Sequence, residues 1–274
     1  RSVTLESGPR RAECVALVGG LMDRNEEDHR ANLDELRRAF TALSLDLVSV
    51  WPDGGSLEGL AAAGTAGTVV SLPYGRQAAT LLAERTGARL VELDIPLGFE
   101  ASRQWMLALG EAFDRRRQAE DFCDRELRRV MPRLEWAVSH LFLNRRVMLV
   151  AEPSLLAGLA GLVVELGATV AAAVAVGKFR TEGQEASLRG LAARVLARPT
   201  SGTFRIEWER ARAEGLDLLV APSDALREAG RKGRCVEFGF PSHFWHALAP
   251  QPFLLFEGAL ALVQRLSEGL QERP

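Results

Sequence analysis

Apolar positions along the chain fall into two alternating patterns, and the alternation runs through the sequence twice. The first apolar run, "CVALVGG" at 14–20, is continuous and ends in glycines, which predicts a buried strand. "DELRRAFTAL" at 34–43 places Leu36, Ala39, Phe40 and Leu43 on one helical face. Strands are predicted again at 45–51, 68–74 and 89–96, the third of the four stopped by Pro73. Helical spacing returns at 76–87, closed by Gly87, and at 98–113. From 115 to 144 there is no strand-like run. Phe122, Cys123, Leu127, Val130, Met131, Leu134 and Leu141 keep helical spacing, which predicts one long helix bent near Pro132.

The alternation restarts at "RRVMLVAEP", 145–153, a strand running into a proline suited to a first helical turn. A small-residue helix follows at 154–167, a buried strand at 168–177 and a short helix at 184–196. Residues 215–233 read as strand, turn and short helix, with Ser223 or Asp224 as its cap. The last strand is placed at 234–241 and the final helix at 252–270. The fold class is therefore α/β, with two open, mainly parallel sheets, helices on both faces, and a long helix joining them. The units are 12–114 and 145–270, with 115–144 as the connecting helix. Each reads as a small doubly wound unit with a crevice at its strand ends.

Composition narrows the function classes. With 274 residues, 47% of them apolar, the chain can build one large core or two ordinary ones. Thirty-four Lys and Arg against 36 Asp and Glu give a net charge of -2, which excludes a nucleic-acid binder driven by phosphate neutralisation. Cys14, Cys123 and Cys235 are odd in number and far apart, so neither a disulfide framework nor a CxxC unit follows; a reducing, cytoplasmic setting is expected. No 18-residue apolar run exists, so no membrane span is expected. Residues 1–11 lack a signal-peptide core, and a chain beginning with Arg1 reads as a fragment, a processed product or a renumbered chain.

Known phosphate, hydrolase and zinc-protease signatures are absent. The "GG" at 19–20 lacks the further glycines and the acidic residue of a dinucleotide fingerprint, and reads as a tight turn. There is no GxxxxGK[ST], GxSxG or HExxH. His29 and His140 fall in helical stretches and read as surface or packing residues. Two strand-end segments carry the candidate chemistry. In "SLPYGR" at 71–76, Tyr74 and Arg76 project toward the crevice, where Arg76 can neutralise an anionic ligand; a solvent-facing turn is the competing reading. In "GFPSHFWH" at 239–246, His243 and His246 can donate to an anion or ligate a metal through one ring nitrogen, although two histidines are an incomplete metal site. Trp245, with Phe244, Phe253 and Phe256, can line a flat apolar ligand or bury the loop on the last helix. Glu100, near the start of the 98–113 helix, reads as a cap partner. The arginines at 115–117 and 128–129 read as a solvated helix face.

Four stretches, 71–109, 145–170, 215–225 and 239–266, together resemble the nitrogenase component 1 superfamily, which includes nitrogenase subunits, cofactor-assembly scaffold proteins and dark-operative protochlorophyllide and chlorophyllide reductase subunits. Their order and spacing agree across most of 12–268, as the C-terminal two-thirds of such a subunit. The resemblance implies Rossmann-like units and a place in an oxidoreductase complex. That complex would take electrons from an ATP-dependent iron–sulfur reductase, alongside a paralogous subunit, as a homo- or hetero-oligomer. It implies an iron–sulfur cluster in the full-length protein or complex, but none is assigned to this stretch, and the isolated chain is expected to be inactive. A tetrapyrrole is one implied substrate. A cofactor-assembly scaffold and a non-catalytic structural or interaction subunit are the alternatives. Where the catalytic nitrogenase subunit has a cofactor-ligating cysteine, this sequence has Ser71, Leu72 and Pro73; the family's C-terminal cofactor histidine falls near His243 or His246.

Overall fold

A computed structural model describes residues 4–6, 8–20, 25–179, 182–230 and 233–271. The N-terminal sheet contains β1 (Arg11–Val18), β2 (Asp46–Trp51), β3 (Ala66–Ser71) and β4 (Arg89–Glu92), in the order β2-β1-β3-β4. The second contains β5 (Arg146–Ala151), β6 (Thr169–Ala175), β7 (Val195–Ala197), β8 (Leu218–Ala221) and β9 (Cys235–Glu237), in the order β7-β6-β5-β8-β9. Every pairing in both is parallel. Each order reverses once, between β1 and β3 and between β5 and β8, and the strand C-termini at those points are where a doubly wound fold leaves room for a site.

The helices are α1 (Glu27–Ala42), α2 (Leu57–Ala61), α3 (Arg76–Thr86), α4 (Phe99–Ala112), α5 (Arg116–Ala137), α6 (Pro153–Glu165), α7 (Glu182–Leu191), α8 (Ser201–Ala213), α9 (Ser223–Glu228) and α10 (Leu255–Gln271). Side-chain alternation along the strands sorts the packing. Val15 and Leu17 of β1, and Val147 and Leu149 of β5, enter one continuous buried cluster with Phe40 of α1, Phe122 of α5, Leu156 of α6 and Phe256 of α10. Their neighbours Ala16 and Val18 pack under α3, while Met148 and Val150 pack under α8 and α9 with Phe204, Trp208 and Leu226. The two sheets thus share a single hydrophobic layer. Helix α10 closes it, touching α1, α4 and α5 as well as β9. Phe256 meets Phe122 edge-on with ring centroids 6.1 Å apart.

Several predicted elements differ in detail. The helix expected over 184–196 stops at Leu191, because Val195–Ala197 pairs with β6 as an edge strand. Helices α2 and α8 were not anticipated. The 115–144 helix passes through Pro132 to Ala137 and ends in a π turn at Val138–Phe142. The strand expected over 234–241 covers only Cys235–Glu237. Neither Ser223 nor Asp224 caps α9: Pro222 holds the N-cap position, and the Ser223 hydroxyl donates elsewhere. Glu100 does not cap α4 either. Gly98 is at that N-cap with φ +99°, and the carboxylate of Glu165, from α6, accepts from the Phe99 and Glu100 amides. Residues 231 and 232 of the 215–233 segment lie outside the described residues, as do 1–3 and 7 of the N-terminal stretch.

Candidate functional site at the convergent strand ends

At the first reversal, β1 runs into Gly19 at φ +98°, and a Cβ there would lie 2.2 Å from the Gly75 amide nitrogen and 2.6 Å from the Leu72 carbonyl oxygen. Two backbones therefore touch where a side chain would not fit, and the turn read from "GG" is a packing device. At the second reversal, β5 runs into Glu152, whose carboxylate accepts from the Ser154 amide at 2.8 Å at the start of α6. The same carboxylate accepts from the Tyr74 hydroxyl at 2.5 Å. This bond joins the strand ends of the two sheets directly.

The segment after β9 crosses from the second sheet to the first. Its root is Glu237, 9% exposed. One oxygen of that carboxylate accepts from the Ser223 and Ser242 hydroxyls (2.7 and 2.6 Å) and from the amides of His243, Phe244 and Trp245 (2.9, 3.1 and 3.3 Å). Burial alone would favour the neutral acid, but these donors outweigh it and hold the carboxyl below its ordinary range. Arg265 of α10 donates to the Glu237 carbonyl and lies over the Trp245 ring, 3.6 Å from its centroid. Further on, Glu26, at the N-cap position of α1, accepts from the Ala247 amide at 2.8 Å and pairs with the His246 ring at 2.8 Å. Asn32 of α1 then accepts from the Phe253 and Leu254 amides.

Beneath this crossing lies a recess of about 40 Å³, walled by Asp28 and His29 of α1, Leu155 of α6, Trp245, Phe253 and Arg265. A second of about 20 Å³ adjoins it through His29, Leu155 and Phe253. Both are on the scale of one or two water molecules, well short of the ~300 Å³ at which ligand pockets begin.

The predicted site residues are distributed unevenly around this recess. Trp245 lines it. Tyr74 is taken up by the bond to Glu152. Arg76 is a strut between strand ends: its guanidinium donates to the Ser71 carbonyl and, at 2.7 Å, to the Leu93 carbonyl, with Asp94 at 3.7 Å and Glu92 at 4.0 Å. His243 is exposed and fixed by its backbone, and His246 is exposed and held by Glu26. His29, read as packing, is 7% exposed and reaches both recesses, whereas His140 is exposed and stacked on Trp136. Sequence reasoning missed Glu26, Glu152, Glu237 and Arg265. Glu237 carried a signal, an acidic residue inside an apolar strand and followed by Gly239 and a run of polar donors.

The cysteines do not fit an iron–sulfur cluster. Cys14 is on β1, Cys123 on α5 and Cys235 on β9, the first two buried and the third half-buried. Burial raises the Cys14 thiol and pushes Cys123 up to about 11, against the thiolate form a metal requires. No group of three or more His, Cys, Asp or Glu able to hold a metal ion occurs among the described residues. No helix among the described residues is long and apolar enough to cross a membrane.

The family model for nitrogenase component 1 type oxidoreductases matches residues 1–271. No curated protein sequence matches. Among solved structures, nitrogenase Cp1 at pH 6.5 is similar with a TM-score of 0.79 and 19% identity, covering 98% of this chain and 61% of that one. Nitrogenase Cp1 at pH 5 is similar with 0.77 and 10%, covering 98% and 58%. The solute-binding protein FpvC from Pseudomonas aeruginosa, in complex with Mn2+, is similar with 0.54 and 13%, covering 95% and 99%. At these identities the likeness shows the fold. The chain spans 61% or less of the length of the nitrogenase chains it matches.

Proposed function

Because this chain belongs to the nitrogenase component 1 type oxidoreductase family, we propose that it is part of a nitrogenase-like oxidoreductase complex that reduces a bound substrate. In this reading electrons come from an ATP-dependent iron–sulfur reductase, and a paralogous subunit completes the assembly. The observation that carries the reading is the convergence of both sheets' strand ends, tied by Tyr74 and Glu152 and crossed by the 239–254 segment. A fold that brings two switch points together offers preorganised loops from both units to whatever lies against them. A cluster of the complex needs ligands beyond any set that the described residues bring together on their own, and the small recess directs a tetrapyrrole or other large substrate to a surface shared with other parts of the assembly. His243 and His246, both exposed on the crossing segment, are among the side chains this chain presents there.

A second reading, a non-catalytic structural or interaction subunit, draws support from the small size of the recess and from cysteines that lie on three separate elements. Anaerobic co-purification with the products of neighbouring genes, followed by iron, sulfide and absorbance measurements, separates the two. An assembly that carries iron and is reduced only with the ATP-driven partner and ATP supports the oxidoreductase reading. An assembly with this chain but no iron supports the structural one. Iron retained without any electron uptake from the reductase identifies an assembly scaffold.

A further inference from the structure

The segment after β9 is not held evenly along its length. Its first part, through Trp245, is anchored by the five donors on Glu237 and by Arg265. Its last part is anchored by Asn32, by the Leu255 amide on the Pro96 carbonyl at 2.8 Å, and by Leu255 and Phe256, both 0% exposed. Between these anchors, only Ala247 of residues 246–252 is buried, and Leu248 is 92% exposed. Two contacts with α1 hold this middle stretch: the Glu26 carboxylate on Ala247 and His246, and the Glu27 amide on the Ala247 carbonyl at a long 3.4 Å. Glu26 is at the N-cap position, yet its side chain makes no cap bond to its own helix. It is spent on the crossing segment instead. Gln251 and Pro252 line the recess, so movement of the middle stretch widens it on that side.

We propose that residues 246–252 are a flap over the recess, with Glu26 as its latch, opening between two fixed anchors without unfolding either sheet. Segments with few buried contacts, attached only at one helix end, open at free energies far below global unfolding. The inference is independent of what the recess admits. It therefore stands or falls apart from the oxidoreductase reading.

Amide hydrogen exchange on the whole chain, resolved to single residues, is the test. In the unaltered protein the Ala247 amide is expected to exchange faster than the Phe244, Trp245, Phe253 and Leu254 amides and than those of β5 and β8. Glu26→Ala is expected to speed Ala247 by a further factor of about ten to a hundred, the value of a charge-assisted hydrogen bond, while the anchor amides hold their rates. Glu26→Gln, which keeps an acceptor oxygen and removes the charge, is expected to give a smaller increase at the same amide. Ala247 exchanging at the rate of the β5 core would overturn the flap, as would a Glu26 variant that leaves Ala247 unchanged or speeds every amide equally.

Discussion

Glu237→Gln offers the sharpest test of how the crossing segment is held. The substitution keeps one oxygen near the five donors and removes the charge they share. A hydrogen bond to an ionised partner contributes about 1.5–3 kcal/mol against about 0.5–1.5 for a neutral one. The five donors converge on a single oxygen, so their contributions are not independent. A loss of about 2–3 kcal/mol is expected for Gln, and about 3–5 for Ala, which leaves the buried Ser223 hydroxyl and the part-buried Phe244 and Trp245 amides without this acceptor. Either is a large part of the ~5–15 kcal/mol that keeps a domain folded. The assay is urea unfolding followed by tryptophan fluorescence across a pH series. The folded carboxyl is held below its ordinary value, so its contribution is complete above the unfolded pKa, about 4.3, and is lost as pH falls through the folded one. The gap between the unaltered protein and Glu237→Gln is expected to be constant from neutral pH to about 5 and to narrow below that. A gap that is absent at pH 7, or that persists undiminished in acid, would refute the account.

Three other outcomes follow from packing and charge. Gly19→Ala places a Cβ 2.2 Å from the Gly75 nitrogen at a φ of +98°, and is expected to cost about 3–5 kcal/mol, read as a drop in the urea midpoint. Glu126, 4% exposed on α5, joins Arg38 of α1 at 2.6 Å to Arg129; Glu126→Ala is expected to cost about 2–3 kcal/mol, discounted for the partly exposed arginines, and Glu126→Gln less. In thiol labelling at pH 8, Cys235 is expected to react first, with Cys14 and Cys123 protected until the chain unfolds; rapid labelling of Cys123 in the native protein would contradict its burial and raised pKa.

The repeating rhythm of strands and helices was readable because buried parallel strands are short, continuous apolar runs, as in "RVMLVA" and "TVAAAVA". Edge strand β7 was lost inside a predicted helix since three residues, two of them only half-buried, carry no period. Helix α8 was missed although Phe204, Trp208 and Ala211 recur at helical spacing, the signal being diluted by the charges between them. The site was less legible than the fold. Local pattern pointed to the strand-end loops at 71–76 and 239–246 because strand ends next to prolines and glycines are visible. It could not show that Arg76 spends its donors on the Ser71 and Leu93 carbonyls, nor that Glu152 and Tyr74 meet. The pairing of Tyr74 with Glu152 spans 78 positions, that of Asn32 with Phe253 spans 221, and both are set by topology.

That last separation bears on how the protein is made. Helix α1 is synthesised well ahead of its partners, and the surface it offers to Phe253, Leu254 and α10 stays uncovered until some two hundred further residues have been added. The packing of α1 therefore cannot be completed before the C-terminal segment has left the ribosome. Nascent chains arrested before Phe253 are expected to display the apolar flank of α1, and so to be the species that holding chaperones and quality-control proteases meet.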